Sequence, residues 1–187
     1  LGDSLMDLSS RVMLKGRNVD LFTTENIASL YLSDEIFNNV YSSIEMAGIN
    51  SYDLVIIDSF SSRSIEVKCK IAPKVEFVGI YGYFNGPEVN RVLFSYHQMN
   101  NLLNYQKSGE EIRFSAKTSI SISKIDQDII NKINLPDRFI AIVLGGEWKY
   151  RTYKNWDKVI ENILKKNNHL NIVLLGSENA NLIAKKI

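Results

Sequence analysis

The sequence predicts an α/β fold built on parallel strands and arranged as two lobes. Three observations carry that prediction. Apolar runs at residues 52–58 (YDLVIID), 75–81 (VEFVGIY), 139–144 (FIAIVL) and 170–175 (LNIVLL) have the length and composition of buried strands. The stretches between them carry helical periodicity, and strands that alternate with helices form a parallel, Rossmann-like sheet. Two of the runs, ending at Leu144 and Leu175, open directly into glycine, at Gly145-Gly146 and at Gly176.

From the amino end, Leu5, Leu8, Val12 and Met13 recur at helical spacing after Asp3, and Gly16 closes that element. Residues 19–23 read as a strand, and Thr24-Glu25 opens a short helix to about Leu32 with Thr24 placed to cap it. Residues 37–42 suit another strand, and 52–58 is apolar enough to be buried on both faces. A helix over 61–71 leads to the strand at 75–81, where Gly79, Gly82 and Gly86 punctuate its end and Pro87 marks the turn.

A longer helix is expected over 89–105, with Val92, Leu93, Tyr96, Met99, Leu102 and Leu103 on its apolar side. Residues 112–123 read as irregular and 125–133 as helical. The first lobe ends within 124–137, giving lobes at 1–136 and 137–187. In the second lobe, a strand at 139–144, a helix at 155–166, a strand at 171–175 and the start of a helix at 177–187 follow in turn.

Composition narrows the function classes. With 22 basic and 21 acidic residues among 187 and a formal charge of +1, no global field draws nucleic acid or an anionic membrane, so any anion site is local. Cys69 has no partner for an internal disulfide, and His97 and His169 stand too far apart in sequence for familiar zinc spacing, so no metal site is expected and a reducing compartment fits. The apolar runs fall far short of the ~20 residues of a membrane span, and the first residues carry no signal-peptide pattern. The opening at Leu1-Gly2-Asp3 and the close in a helical pattern at Ile187 lead us to expect a fragment, with a strand missing before Gly2 and the second lobe incomplete.

Several residues suit chemistry. Asp3, beside Gly2 at a strand-to-helix turn, suits proton acceptance from a hydroxyl; spacing alone favours a helix cap, and one residue can serve as both. Gly145-Gly146 lets main chain approach a phosphate, with Lys149 and Arg151 to neutralise a diphosphate, or the loop is simply solvated. Gly176-Ser177-Glu178 offers a glycine turn and hydroxyl for phosphate and a carboxylate for ribose hydroxyls. It equally suits a helix entry with Ser177 as cap and Glu178 near the positive end of the dipole.

His97, on the 89–105 helix, is expected to pack rather than react, and Trp148, Tyr150, Tyr153 and Trp156 either stack on a base or sugar or pack. Asp53 and Asp58 flank a strand without forming a defined dyad. No Gly-x-Ser-x-Gly, Walker A or His-Glu-x-x-His motif is present.

Four features, in this order, resemble the heptosyltransferases of glycosyltransferase family 9. They are Gly2-Asp3 before a helix, YDLVIID at 52–58, the His97-x5-Leu103 stretch, and LGGEWKYRTYKNWDKVI leading to IVLLGSE. The resemblance implies a GT-B architecture of two Rossmann-like lobes with parallel sheets. The first lobe would bind the acceptor and the second a nucleotide-diphosphate sugar, ADP-heptose in most of the family.

It further implies inverting transfer to a lipopolysaccharide, lipid-linked or other glycan acceptor, no cofactor beyond the nucleotide-sugar co-substrate, and a cytoplasmic site with peripheral contact at the inner membrane. Asp3 matches the family's Gly-Asp and would be the base. Lys149, by its distance to Trp156, or Arg151, by the basic-x-aromatic pattern, matches the family's basic position. Gly145, Gly146, Gly176, Ser177 and Glu178 would line the donor, with Glu178 at the ribose.

The chain departs from the pattern where Thr152-Tyr153-Lys154 replaces the proline after the basic-x-aromatic element, and the family's Asp-Thr/Ser-Gly-x-x-His segment would fall beyond Ile187. The fragment alone is therefore expected to be inactive. The rival readings are a non-catalytic binding module of the same fold and, behind it, a nucleotide-sugar epimerase. For the epimerase the Gly-x-x-Gly-x-x-Gly turn is absent, and the Tyr-x-x-x-Lys spacing occurs only in a loop at Tyr150–Lys154.

Overall fold

A computed structural model describes residues 2–80, 90–145, 150 and 152–187, with Asn179 described in its backbone only. The chain divides into two compact units, Leu1–Ser123 and Lys124–Ile187. The division falls at the start of the 124–137 segment, so the helix that opens there goes with the second unit.

The first unit begins with α1 (Gly2–Asp7), which tightens into a 3-10 helix at Leu8–Leu14 and stops where Gly16 takes a φ of 86°. Then come β1 (Asp20–Phe22), α2 (Glu25–Ala28), β2 (Asn39–Tyr41) and α3 (Ile44–Ala47). β3 (Val55–Ile57), α4 (Ser62–Ile71), β4 (Phe77–Gly79), α5 (Arg91–Leu103) and α6 (Gly109–Ser115) complete it. β1 pairs in parallel with β2, matching Leu21 to Val40, and β3 pairs in parallel with β4, matching Ile56 to Val78. Each parallel pair needs a crossover, and helices supply it.

The expected α/β class with parallel strands is present, as two-stranded ladders among the described residues. That narrowness overturns one expectation. The 52–58 run is not buried on both faces: Ile57 is buried, Val55 and Ile56 are half-buried, and Leu54 is exposed. Ile56 packs toward the core, but a ladder two strands wide leaves its flanks uncovered.

That core gathers Met13 and Leu14 from the 3-10 helix, Tyr96 and Met99 from α5, and Ile112 from α6. Burying each such side chain contributes about 1.5–3 kcal/mol. α5 owes its start to Asn90, whose side-chain oxygen accepts the Val92 and Leu93 N–H groups at 3.0 and 3.2 Å, and its end to Asn104 in the left-handed region. Thr24, by contrast, stands at the N-cap of α2 without a side-chain cap bond; its carbonyl accepts from Ile27 and Ala28 instead.

The second half of α6 falls in the 112–123 stretch expected to be irregular, so that expectation fails over its first residues. A reciprocal capping box makes the helix: Ser108 Oγ accepts from the Glu111 N–H at 3.3 Å, and Glu111 Oε2 accepts from the Ser108 N–H at 2.8 Å. Gly79 answers to packing, because a Cβ there would stand 2.4 Å from the Phe60 ring.

The second unit comprises α7 (Lys124–Lys132), β5 (Phe139–Val143), α8 (Trp156–Lys166), β6 (Asn171–Leu175), a 3-10 turn at Glu178–Ala180 and α9 (Asn181–Ala184). β5 and β6 run parallel in an unbroken register from Phe139 opposite Asn171 to Val143 opposite Leu175. Ile142, Leu144, Ile160 and Ala180 form its core, with Trp156, Ile172 and Leu174 on the flank. Among the described residues no helix is long and apolar enough to cross a membrane.

Candidate functional site

In the first unit the candidate base lies inside α1. Asp3 is a first-turn residue, not the residue preceding the helix, so the N-cap expectation gives way to one in which its charge faces the positive helix end. Its carboxylate meets Arg91 Nη1 at 3.1 Å, with 75% of the Asp3 side chain exposed. Arg91, in the first turn of α5, also grips Asp7 in a fork, Nε to Oδ1 at 2.5 Å and Nη2 to Oδ2 at 2.6 Å.

The two arms of this arrangement differ in setting. The Asp7 side chain is 10% exposed, so the fork is a sheltered, bidentate contact that fixes the guanidinium. The Asp3 arm is open to water, where an ion pair contributes about 0–1 kcal/mol. Beneath them Ser95 Oγ donates to the Asp7 carbonyl at 2.7 Å and shares a 2.6 Å hydrogen bond with Ser10 Oγ, and both serines are fully buried. α5 is thereby tied to the α1 segment, and the Asp3 carboxylate remains exposed.

Sequence reasoning did not single out Arg91 or Asp7. Arg91 had a signal, a cation directly after the helix-capping Asn90 and the turn that the sequence leads one to expect at Pro87; Asp7 had none beyond its spacing four residues after Asp3.

In the second unit, the Leu144 N–H donates to the Leu175 carbonyl at 2.9 Å, one step past the last register pair, so Gly145 and Gly176 leave neighbouring strand tips on the same edge. Gly176 answers a packing demand: a Cβ there would stand 2.5 Å from the Ala180 Cβ and 4.0 Å from that of Leu144. Only glycine lets the 3-10 turn close on the strand end, a close approach of the kind that helix entries in nucleotide folds use.

Ser177 is extended and makes no side-chain cap bond; its carbonyl accepts from the Ala180 N–H at 2.9 Å. Glu178 is exposed in the first turn. Gly146, Lys149 and Arg151, the remaining expected donor residues, lie outside the described residues.

The other residues weighed from sequence fall as follows. His97 is half-buried on α5, and its Cε1 lies 3.9 Å from where a Gly109 Cβ would be. Asp58 accepts from the Ser59 N–H and from Ser64 Oγ, each at 2.7 Å, which makes it a turn-fixing residue at the end of β3. Trp156 packs on the core of the second unit, and Tyr153 meets it edge-on. Among the described residues no group of three or more His, Cys, Asp or Glu side chains gathers as a metal site.

Comparison of the chain with protein-family models, with curated proteins and with solved structures finds no match.

Proposed function

We propose that the chain is the acceptor lobe and the start of the donor lobe of an inverting glycosyltransferase of heptosyltransferase type. It would act at the cytoplasmic face of a membrane and move a sugar from a nucleotide diphosphate to a glycan acceptor. The observation that carries the reading is the β5–β6 register, which puts Gly145 and Gly176 side by side at the carboxyl edge of two parallel strands. That edge is where open α/β sheets take phosphorylated ligands.

In this reading Asp3 accepts the proton of the acceptor hydroxyl as its oxygen attacks the anomeric carbon. The bond from that carbon to the diphosphate breaks on the opposite side, and Lys149 or Arg151 neutralises the departing charge. Arg91 holds the Asp3 carboxylate within reach of solvent.

Replacing Asp3→Asn removes the base and keeps the shape. In a full-length version with a complete donor lobe it should abolish transfer from a nucleotide-sugar donor while leaving donor binding by calorimetry nearly unchanged, and retained turnover there removes Asp3 from the role. The rival reading, a binding module of the same fold, is favoured by one observation, the Asp3–Arg91 pair, which gives Asp3 a structural use. It predicts donor binding with no transfer even by the unsubstituted full-length version.

A further inference from the structure

The stretch that follows α6 has its polarity reversed. From Thr118 to Ser123 exposure alternates residue by residue, as along a strand, but Ser119, Ser121 and Ser123 are half-buried while Ile120 and Ile122 stand outward, 45% and 61% exposed. The reason lies beneath it. The Arg11 guanidinium donates to the Ser119 carbonyl at 2.9 Å and Ser121 Oγ donates to Asp34 at 3.3 Å, so two buried, paired charges draw the polar side of the stretch inward.

The main chain divides in the same way, because in a strand the N–H and C=O of one residue point to the same edge. The Lys117 carbonyl accepts from the Tyr96 hydroxyl at 3.4 Å and that of Ser119 from Arg11, so the edge of Lys117, Ser119 and Ser121 faces the protein. The other edge belongs to Thr118, Ile120 and Ile122. Among the described residues nothing accepts from the N–H groups of these three and nothing donates to their carbonyls.

A row of open main-chain groups beside outward β-branched side chains is the template to which an extended peptide adds as a further strand. Residues 118–123 hold no charge, glycine or proline to blunt it. The charges stand at the ends, Lys117 before the stretch and Lys124 directly after it in sequence. Antiparallel pairing with a second copy about Ile120 would set Lys117 of each copy beside Ser123 and Lys124 of the other, like charge against like. A segment with carboxylates at its ends gains where the copy loses.

We infer that residues 118–122 are a docking edge for an extended peptide of another protein, one whose alternate apolar residues pack on Ile120 and Ile122 and whose flanking residues are acidic. The main chain of Thr118, Ile120 and Ile122 carries the pairing, and Lys117 meets a carboxylate. The inference stands apart from the transferase reading, since it uses none of the residues assigned there.

The test is titration of the 187-residue chain with the synthetic peptide Glu-Val-Thr-Val-Thr-Val-Glu, followed by fluorescence anisotropy of a dye on the peptide and by NMR amide exchange on the chain. Saturable binding should slow exchange at Thr118, Ile120 and Ile122 and leave Ser119 and Ser121 nearly unchanged. The peptide Lys-Val-Thr-Val-Thr-Val-Lys should bind about tenfold more weakly. The double variant Ile120→Ser/Ile122→Ser, altered only at exposed side chains, should keep the urea midpoint of the parent and lose about tenfold or more in affinity. Should its midpoint fall, the exchange pattern in the unsubstituted chain decides alone. Absence of binding by the parent, or equal affinity in the double variant, overturns the inference. So does a dimer of the chain alone, seen by sedimentation, that the double variant abolishes, because the edge then belongs to a second copy. Slow exchange at all three amides in the free chain overturns it too, because the edge is then covered from within.

Discussion

Arg11 and Asp34 form an ion pair inside the first unit, Nη2 to Oδ2 at 2.6 Å with only 3% of either side chain exposed. Both charges are provided for. Arg11 also donates to the carbonyls of Leu8 and Ser119 and lies 5.1 Å from the centre of the Tyr31 ring, while Asp34 accepts from the Ile36 N–H and from Ser121 Oγ. The pair thus joins three stretches distant in sequence: the 3-10 helix, the loop before β2 and the extended segment around Ser119–Ser121.

Removing one member strands the other. Asp34→Ala should cost about 3–5 kcal/mol of stability, because the guanidinium stays buried without its counter-charge. Urea unfolding followed by circular dichroism measures it. The double variant Arg11→Met/Asp34→Ala should recover part of that loss, and a single variant as stable as the parent would show that the pair is not buried in solution.

At the carboxyl edge of β6, Gly176→Ala pushes a methyl to 2.5 Å from the Ala180 Cβ. The turn after the strand must shift, at about 1–3 kcal/mol. Ala180→Gly in the same chain should restore most of the loss, a rescue that a purely conformational role for Gly176 does not predict.

Acid should loosen α6 early. The Ser108 backbone N–H first, and the Ser108 hydroxyl second, hold the Glu111 carboxyl below the ordinary glutamate range. A carboxyl whose folded value is depressed contributes stability that is present above its unfolded value and is lost as pH falls through the folded one. Amide exchange across Gly109–Ser115 should therefore stay slow at neutral pH and quicken below the glutamate range. Glu111→Gln, which keeps an acceptor without the charge, should remove most of that pH dependence.

Much of the secondary structure was legible. β5, β6, α4, α5 and α8 lie within a residue or two of the expected spans, because long apolar runs and marked helical periodicity dominate local choice there. α3 was missed because four residues make too short a period to read, and α6 because its signal was the Ser108-x-x-Glu111 cap, not its apolar face. Of the candidate site, Asp3, Gly145 and Gly176 were singled out from sequence because glycines and acids at element ends carry recognisable turn, cap and close-approach roles. Arg91, Asp7, Arg11 and Asp34 could not, because each owes its role to a partner on another element.

The sequence by itself determined the α/β class, the parallel sense implied by alternating elements, and which residues punctuate them, since these follow from period and from the φ and hydrogen-bonding limits of individual residues. Only the tertiary structure decided that Arg91 bridges Asp3 and Asp7, that the Arg11 and Asp34 charges are buried together, and that Ala180 demands a glycine at Gly176. Those are contacts across 4 to 88 positions of chain, and their energy depends on burial and geometry that arise only when separate elements pack.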